Sequence, residues 1–455
     1  MTNFTVGEMA SAMGADFTGY VPAIIDRVVS GVSTDTHTIA KGDVYFAIRG
    51  ERFDGAEYVR DAFKAGAHCA VVNRGGTVDE QLGPVLVVDD TVLALGAAAK
   101  AYRALFQGTV VGITGSNGKT TTKDMIKAIL SVRYSVQATE GNYNNHIGLP
   151  LSIFRITPSD DYAVLELGMS AQGEIARLAD IAAPHIGVLL NVGLSHSEFF
   201  ETVEDIADAK AELFDGILAG GRALVNADDP LFREREKRFN GEVVHFGIDN
   251  EADYRAGDII VSPDGCASFS VEGRRVTLQI PGRHNVYNAL AAYAVGRMAD
   301  VKGEDCVEAL SDVEPSSMRM QKIVRDGITY LNDSYNANPL SMKAAAMVLA
   351  DMNNSTPRRR IAVIGDMREL GSYTEDAHRE IGSLFGSLGL DELVCVGDNA
   401  RLYADSAVGA GMDAGHIYTV DSTDAAITVV NSILVDGDLV LVKGSRALKL
   451  DRIAG

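Results

Sequence analysis

The sequence predicts a three-domain α/β protein, with a central sheet of mainly parallel strands and a second, doubly wound (Rossmann-like) unit at the C-terminal end. Three observations predict it. The length of 455 residues corresponds to about three domains. From residue 109 onward, short apolar runs alternate with helical patterns, as in parallel sheets covered by helices on both faces. Between them, residues 114–122 read Thr-Gly-Ser-Asn-Gly-Lys-Thr-Thr-Thr, after an apolar run and before a helix-like stretch. That is a strand, a glycine loop and a helix start.

The expected domains are 1–90, 91–314 and 315–455. The first mixes apolar segments at 44–48, 70–72 and 85–88 with helix-like pieces such as 56–65, which describes a small α/β domain. An alanine-rich segment, 91–106, leads to the glycine loop. In the middle section strands are expected at 110–114, 162–167, 186–192 and 223–226, and helices at 119–131, 173–181, 203–218 and 285–299. From 253 to 280 the pattern shortens, with turn signals at Pro263-Asp-Gly265 and Glu272-Gly273, and predicts a small antiparallel insertion. The third section restarts with strands at 328–331, 361–364, 393–396 and 439–442.

A formal net charge of −21 argues against nucleic acid or an anionic membrane surface as partners. Any phosphate ligand then requires locally positive loops or metal ions. Cys69, Cys266, Cys306 and Cys395 are scattered, without a C-x-x-C pair, and read as buried apolar residues of a reducing compartment. The first nineteen or so residues lack the order of a signal peptide, and no apolar run approaches a membrane span. A soluble, cytoplasmic protein is expected.

The glycine loop departs from the G-x-x-x-x-G-K-[ST] spacing, because Ile113 stands where the first glycine would fall. Its context still points to ATP: backbone N–H groups cradle phosphates, Lys119 reaches the outer ones, and Thr120 offers its hydroxyl to magnesium. A structural glycine turn is the alternative. Glu166 ends an apolar strand, where an acid is costly unless it meets a cation or a positive partner; a metal and a salt bridge both satisfy it. His196 follows the next strand, as a hydrogen-bonded loop histidine or a metal ligand. Lys210 reads as a solvated helix position among acids. Asn285 and Asn288 share a helix face and could meet an adenine edge, with a plain helix cap as the competing account of Asn285. Asp333-Ser-Tyr-Asn-Ala-Asn-Pro339 is dense in hydrogen-bonding groups, and Arg319 could reach back toward a phosphate on the middle domain.

Taken together, Thr114-Gly-Ser-Asn-Gly-Lys-Thr120, Glu166-Leu-Gly, Ser195-His196, Ala209-Lys210-Ala-Glu212, His284-Asn-Val-Tyr-Asn288 and Arg319 resemble the Mur ligases over nearly the whole chain. These are ATP-dependent amide-forming enzymes of peptidoglycan precursor synthesis. Gly141-Asn-Tyr-Asn-Asn-His-Ile-Gly148, the Asp333–Pro339 loop, Gly365-Asp-Met-Arg-Glu-Leu-Gly371 and Lys443-Gly-Ser-Arg-Ala447 are most similar to the branch adding D-alanyl-D-alanine to UDP-N-acetylmuramoyl-tripeptide.

The resemblance implies a Mur ligase architecture with a UDP-substrate domain, a central P-loop ATPase and a C-terminal domain bringing the dipeptide. It implies a monomer working through an acyl-phosphate. It assigns Lys119, Glu166, His196 and Lys210 to catalysis. Thr120 and Glu166 would hold one magnesium, and His196 with a carbamylated Lys210 a second, which replaces the solvated reading of that lysine. Nucleotide contacts would come from Thr114, Gly115, Ser116, Asn117, Gly118, Lys119, Thr120 and Thr121, joined by Asn285, Asn288, Arg319 and Asp333. Substrate contacts would come from Ser33, Thr34, Asn144, Asn145, Ser334, Tyr335, Asn336 and Asn338. Ser33-Thr-Asp-Thr-His37 carries histidine where family members commonly have arginine, which loses a bidentate fork near the uridine-diphosphate end. The rival readings are another ligase of this fold (the diaminopimelate- or lysine-adding branch, or folylpolyglutamate synthase) and a nucleotide-driven switch.

Overall fold

The computed structural model describes residues 4–18, 24–50, 53–75, 82–194, 197–352 and 359–455. They form a five-stranded mixed sheet, a seven-stranded sheet, a three-stranded antiparallel sheet and a six-stranded sheet, in chain order.

The seven-stranded sheet is parallel throughout. Its strand Thr109–Thr114 lies between Tyr162–Glu166 and Ile186–Leu189. From Thr109–Thr114 the chain passes to the edge strand Val136–Ala138, returns to Tyr162–Glu166, and then crosses to Ile186–Leu189 on the other side. The direction of winding therefore reverses at the glycine loop, which opens the crevice where such sheets place ligands. The helix Lys119–Ser131 has the expected bounds.

The insertion is a three-stranded antiparallel sheet, Gly257–Val261, Cys266–Val271 and Arg274–Pro281, sharing a core with the helix Asn285–Met298. In the third section, Ile328–Asn332, Arg360–Gly365, Glu392–Val396 and Leu439–Lys443 are the expected strands, each slightly longer than the apolar run that announced it. The edge strand Gln321–Arg325 is antiparallel and the other five are parallel.

Helix Thr91–Ala104 is started by Asp90, whose carboxylate accepts the N–H groups of Val92 and Leu93. Its buried face (Leu95, Ala98, Ala99) belongs to one continuous core reaching from Val6 and Leu86 to Leu165 and Phe214. The first sheet and one face of the central sheet are thus joined through apolar packing.

Two expected elements of the middle section depart from their predicted bounds by more than a residue or are divided. The run 203–218 is two helices, Val203–Ala211 and Leu213–Gly216, divided at Glu212, whose N–H reaches both Asp208 O and Lys210 O in a tightened turn. The strand at 186 ends at Leu189 because Asn191 turns out of the sheet to bind the glycine loop. Of the cysteines, Cys69, Cys306 and Cys395 are buried as expected, while Cys266 is half-buried. Among the described residues, no helix is long and apolar enough to cross a membrane.

Candidate active site

The glycine loop is tied down by Asn191, which follows the neighbouring strand Ile186–Leu189. The N–H groups of Ser116 and Asn117 donate to Asn191 O and Oδ1, both at 2.9 Å, and Asn191 Nδ2 donates to Asn117 O at 3.0 Å. Gly118 precedes the helix with φ +86°, and a Cβ there would lie 2.3 Å from Asn288 Oδ1. Both the conformation and the space therefore require glycine. The helix Lys119–Ser131 has no side-chain cap, so its first-turn N–H groups suit an anion.

Lys119 lies deep in the cleft and donates to Gly115 O at 2.6 Å. Desolvation pushes its ammonium down to about 8; Glu166 opposes that shift and Arg319 adds to it. At the next residue, Thr120 Oγ1 donates to Glu166 Oε2 at 3.2 Å. Glu166 is 1% exposed, and its other oxygen, Oε1, has no hydrogen-bond partner. The nearest cation is Lys123, with Nζ at 3.8 Å; it is itself buried and donates to Thr139 O at 2.8 Å. The salt bridge weighed for Glu166 is thus present, yet it leaves a carboxylate oxygen unbonded. A carboxylate and a hydroxyl offered together fit a hard divalent cation. Among the described residues no three His, Cys, Asp or Glu side chains converge on one point.

Lys210 lies in the last turn of the helix Val203–Ala211 and is 2% exposed, which corrects the solvated-lysine reading. Burial lowers its pKa far below the usual range, and the Lys119 charge adds to the shift. It lines the same cavity as Lys119, Thr120 and Glu166. His196, like Ser195, lies outside the described residues.

The cavity around Lys119 adjoins a second one of about 460 Å³, walled by Val192, Pro230, Ile280, Leu340 and Ala344. Both share Asn117, Gly118, Arg319, Tyr335, Asn336 and Asn338. The third section therefore closes over the glycine loop. Arg319 stacks on the Tyr335 ring at 4.1 Å and stands between Met318 and Met320, both in left-handed backbone (φ +59° and +53°). Such strain persists only where surrounding bonds hold it. Here Asp333 Oδ1 accepts the Met320 N–H at 3.1 Å, and Lys443, 2% exposed, donates to Asp333 and to Asn336 O.

The remaining expected residues divide by what they bond. Thr121, Asn285, Asn288, Tyr335 and Asn336 line the larger cavity. Asn288 Nδ2 donates to Asn285 Oδ1 and Asn285 Nδ2 to Pro281 O, both at 2.8 Å, so Asn285 does not cap its helix by its side chain. Asn144 and Asn145 line the cavity around Lys119, where Asn145 Oδ1 also accepts the N–H groups of Ile147 and Gly148. Thr114 and Ser334 are fully buried, with their hydroxyls donated to Leu167 O and Asn332 Oδ1. Ser33 and Thr34 line neither cavity. Ser33 Oγ donates to Asp35 O at 2.8 Å, and bonds from His37 to Asp35 hold that carboxyl below its usual range.

Lys123, Asn191 and Lys443 were not among the expected site residues. Lys123 was discoverable, because it lies three residues after Thr120 on the same helix face. Lys443 ends an apolar strand, the signal that singled out Glu166. Asn191 carried none.

Residues 28–103 match the Mur ligase family catalytic domain, 113–296 the Mur ligase middle domain, and 318–446 the Mur ligase glutamate ligase domain. The chain is 36% identical over 435 residues to UDP-N-acetylmuramoyl-tripeptide--D-alanyl-D-alanine ligase of Bacillus subtilis, covering 95% of this chain and 94% of that protein. Its fold is similar to crystal structures of MurF from Acinetobacter baumannii (TM-score 0.88, 30% identity, 99% and 97% of the two chains). It is also similar to MurF from Thermotoga maritima in complex with ADP (TM-score 0.80, 28% identity, 93% and 96%).

Proposed function

The chain belongs to the Mur ligase family, and we propose on that premise that it joins D-alanyl-D-alanine to UDP-N-acetylmuramoyl-tripeptide in peptidoglycan synthesis, cleaving ATP to ADP and phosphate. The observation that carries this reading is a shared cavity: Lys119, Glu166 and Lys210 from the central section line it together with Tyr335, Asn336 and Asn338 from the C-terminal one. In this reading a nucleotide site and a second-substrate surface face each other across it.

A carboxylate is a poor acyl donor. In the proposed sequence, an oxygen of the tripeptide's terminal carboxylate attacks the γ-phosphorus of ATP, and ADP leaves. The dipeptide amine then attacks the resulting acyl-phosphate carbon, loses a proton, and expels phosphate. Two anions must meet in the first step, so the protein's contribution is charge neutralisation and alignment. Lys119 and the helix N-terminus hold the outer phosphates, and Arg319 approaches them from the third section. The apolar walls of the larger cavity take the adenine, with Asp333 near the ribose.

Thr120 and Glu166 would hold one magnesium ion and His196 with a carbamylated Lys210 a second, and these ions would supply further positive charge to the reaction of two anions. The buried Lys210 amine is suited to carbamylation: the neutral Nζ attacks carbon dioxide, a proton leaves to water, and the resulting anionic oxygens replace an ammonium that would repel a cation. Closure of the third section then excludes water from the acyl-phosphate.

The test is phosphate release with UDP-N-acetylmuramoyl-tripeptide, with and without D-alanyl-D-alanine. Release that requires both substrates supports the ligase. Slow hydrolysis indifferent to both would favour the nucleotide-driven switch.

A further inference from the structure

Asn117 and Asn338 are 221 residues apart, and their carboxamides bond each other twice: Asn338 Nδ2 to Asn117 Oδ1 at 2.9 Å, and Asn117 Nδ2 to Asn338 Oδ1 at 3.2 Å. Each partner is fixed from behind. The Asn117 backbone is held by Asn191 on both its N–H and its carbonyl. Asn338 caps the helix Pro339–Asp351, and its Oδ1 also accepts the Ser341 N–H at 2.8 Å. A rigid group on the phosphate loop therefore meets a rigid group at the start of a C-terminal helix, with Asn338 only 7% exposed.

The geometry points to Asn338 as a positioning residue: its reciprocal amide pair with Asn117 sets the closed placement of the C-terminal section on the nucleotide loop. This rests on the ligase reading for its kinetic consequences but not for its structural ones. The pair is directional, since each amide presents one donor and one acceptor to the other. Asn338→Asp keeps the helix-capping oxygen and the volume, but sets a second acceptor against Asn117 Oδ1.

The test uses the full chain with bound ADP. Small-angle scattering is expected to show Asn338→Asp more extended than wild type, while the affinity for a fluorescent ADP analogue stays within about twofold and the loss in kcat is about tenfold. Equal scattering profiles would overturn the proposal, whatever the phosphate-release assay says of the ligase. A double-mutant cycle with Asn117→Ser and Asn338→Ser keeps the matter decidable if the aspartate variant folds poorly. Losses in kcat that do not multiply in the double variant support a pair acting as one unit, and fully multiplicative losses overturn it.

Discussion

Thr120 and Glu166 bond each other at 3.2 Å across the floor of the cleft, and the bond uses only one of the two carboxylate oxygens. The residues come from adjacent parallel strands, one from the loop-and-helix after Thr109–Thr114 and the other from the end of Tyr162–Glu166. Parallel pairing puts both at the same sheet edge, so the fold itself brings a hydroxyl and a carboxylate together beneath the phosphate loop.

Replacing Glu166 by Gln keeps the volume and the bond to Thr120 but removes the charge that faces a cation. Mg2+-dependent tightening of ATP binding is expected to weaken about 100-fold, within the range seen when a metal site loses a charged ligand or its support. A titration of a fluorescent ATP analogue at several magnesium concentrations reads this out. An unchanged magnesium requirement would leave Glu166 only as the partner of Lys123.

Lys119→Ala is expected to abolish turnover with the far-ultraviolet dichroism unchanged. The pH dependence is a sharper test. Burial has lowered the Lys119 ammonium to about 8 in the nucleotide-free protein, while a bound phosphate favours its charged form. Binding then takes up a proton above that value, so ATP affinity should fall as pH rises from 8 toward 10. In Lys119→Met that limb should be flat. A wild-type affinity constant across this range would show that the ammonium remains charged without nucleotide.

Much of this arrangement was legible in the residues. The strand–loop–helix at 109–131 was readable because glycine positions, the following lysine and the apolar run are all local signals. The third-section strands were readable because buried parallel strands are continuous apolar runs. What stayed hidden is non-local. Burial of Lys210 depends on where its helix packs, and its neighbours Asp208 and Glu212 suggested solvent; Glu212 instead accepts the Gly173 and Ala176 N–H groups. The Asn117–Asn338 pair and the hold of Asn191 on the loop join segments with no shared periodicity. Ser334 sits in a polar motif, yet it is enclosed, because its hydroxyl serves the turn of its own loop.

For Lys210, burial and the nearby Lys119 charge lower the pKa well below the usual ammonium range, which favours the neutral amine that carbamylation needs. Lys210→Ala should be nearly inactive and partly restored by a small carboxylate such as formate, which supplies the lost anionic oxygens. Wild-type activity should also fall on exhaustive removal of carbon dioxide and return with bicarbonate. Full activity of Lys210→Ala without additive would remove the carbamate from the mechanism.

Lys443 allows the fold to be separated from nucleotide binding. The residue is 2% exposed, and its ammonium bonds Asp333 and Asn336 O. Lys443→Met would leave the Asp333 carboxylate without its cation, and removing one member of a buried pair costs about 3 kcal/mol. A matching fall in urea-unfolding free energy is expected. Adding Asp333→Asn removes the stranded charge, so the double variant should recover most of that stability while still binding ATP more weakly than wild type. The reason is that a neutral amide oxygen holds the Met320 N–H more weakly than the Asp333 carboxylate does, and with it the strained turn carrying Arg319. If the double variant regained both stability and nucleotide affinity, the pair would be a brace for the loop alone, and the approach of Arg319 to phosphate would not depend on it.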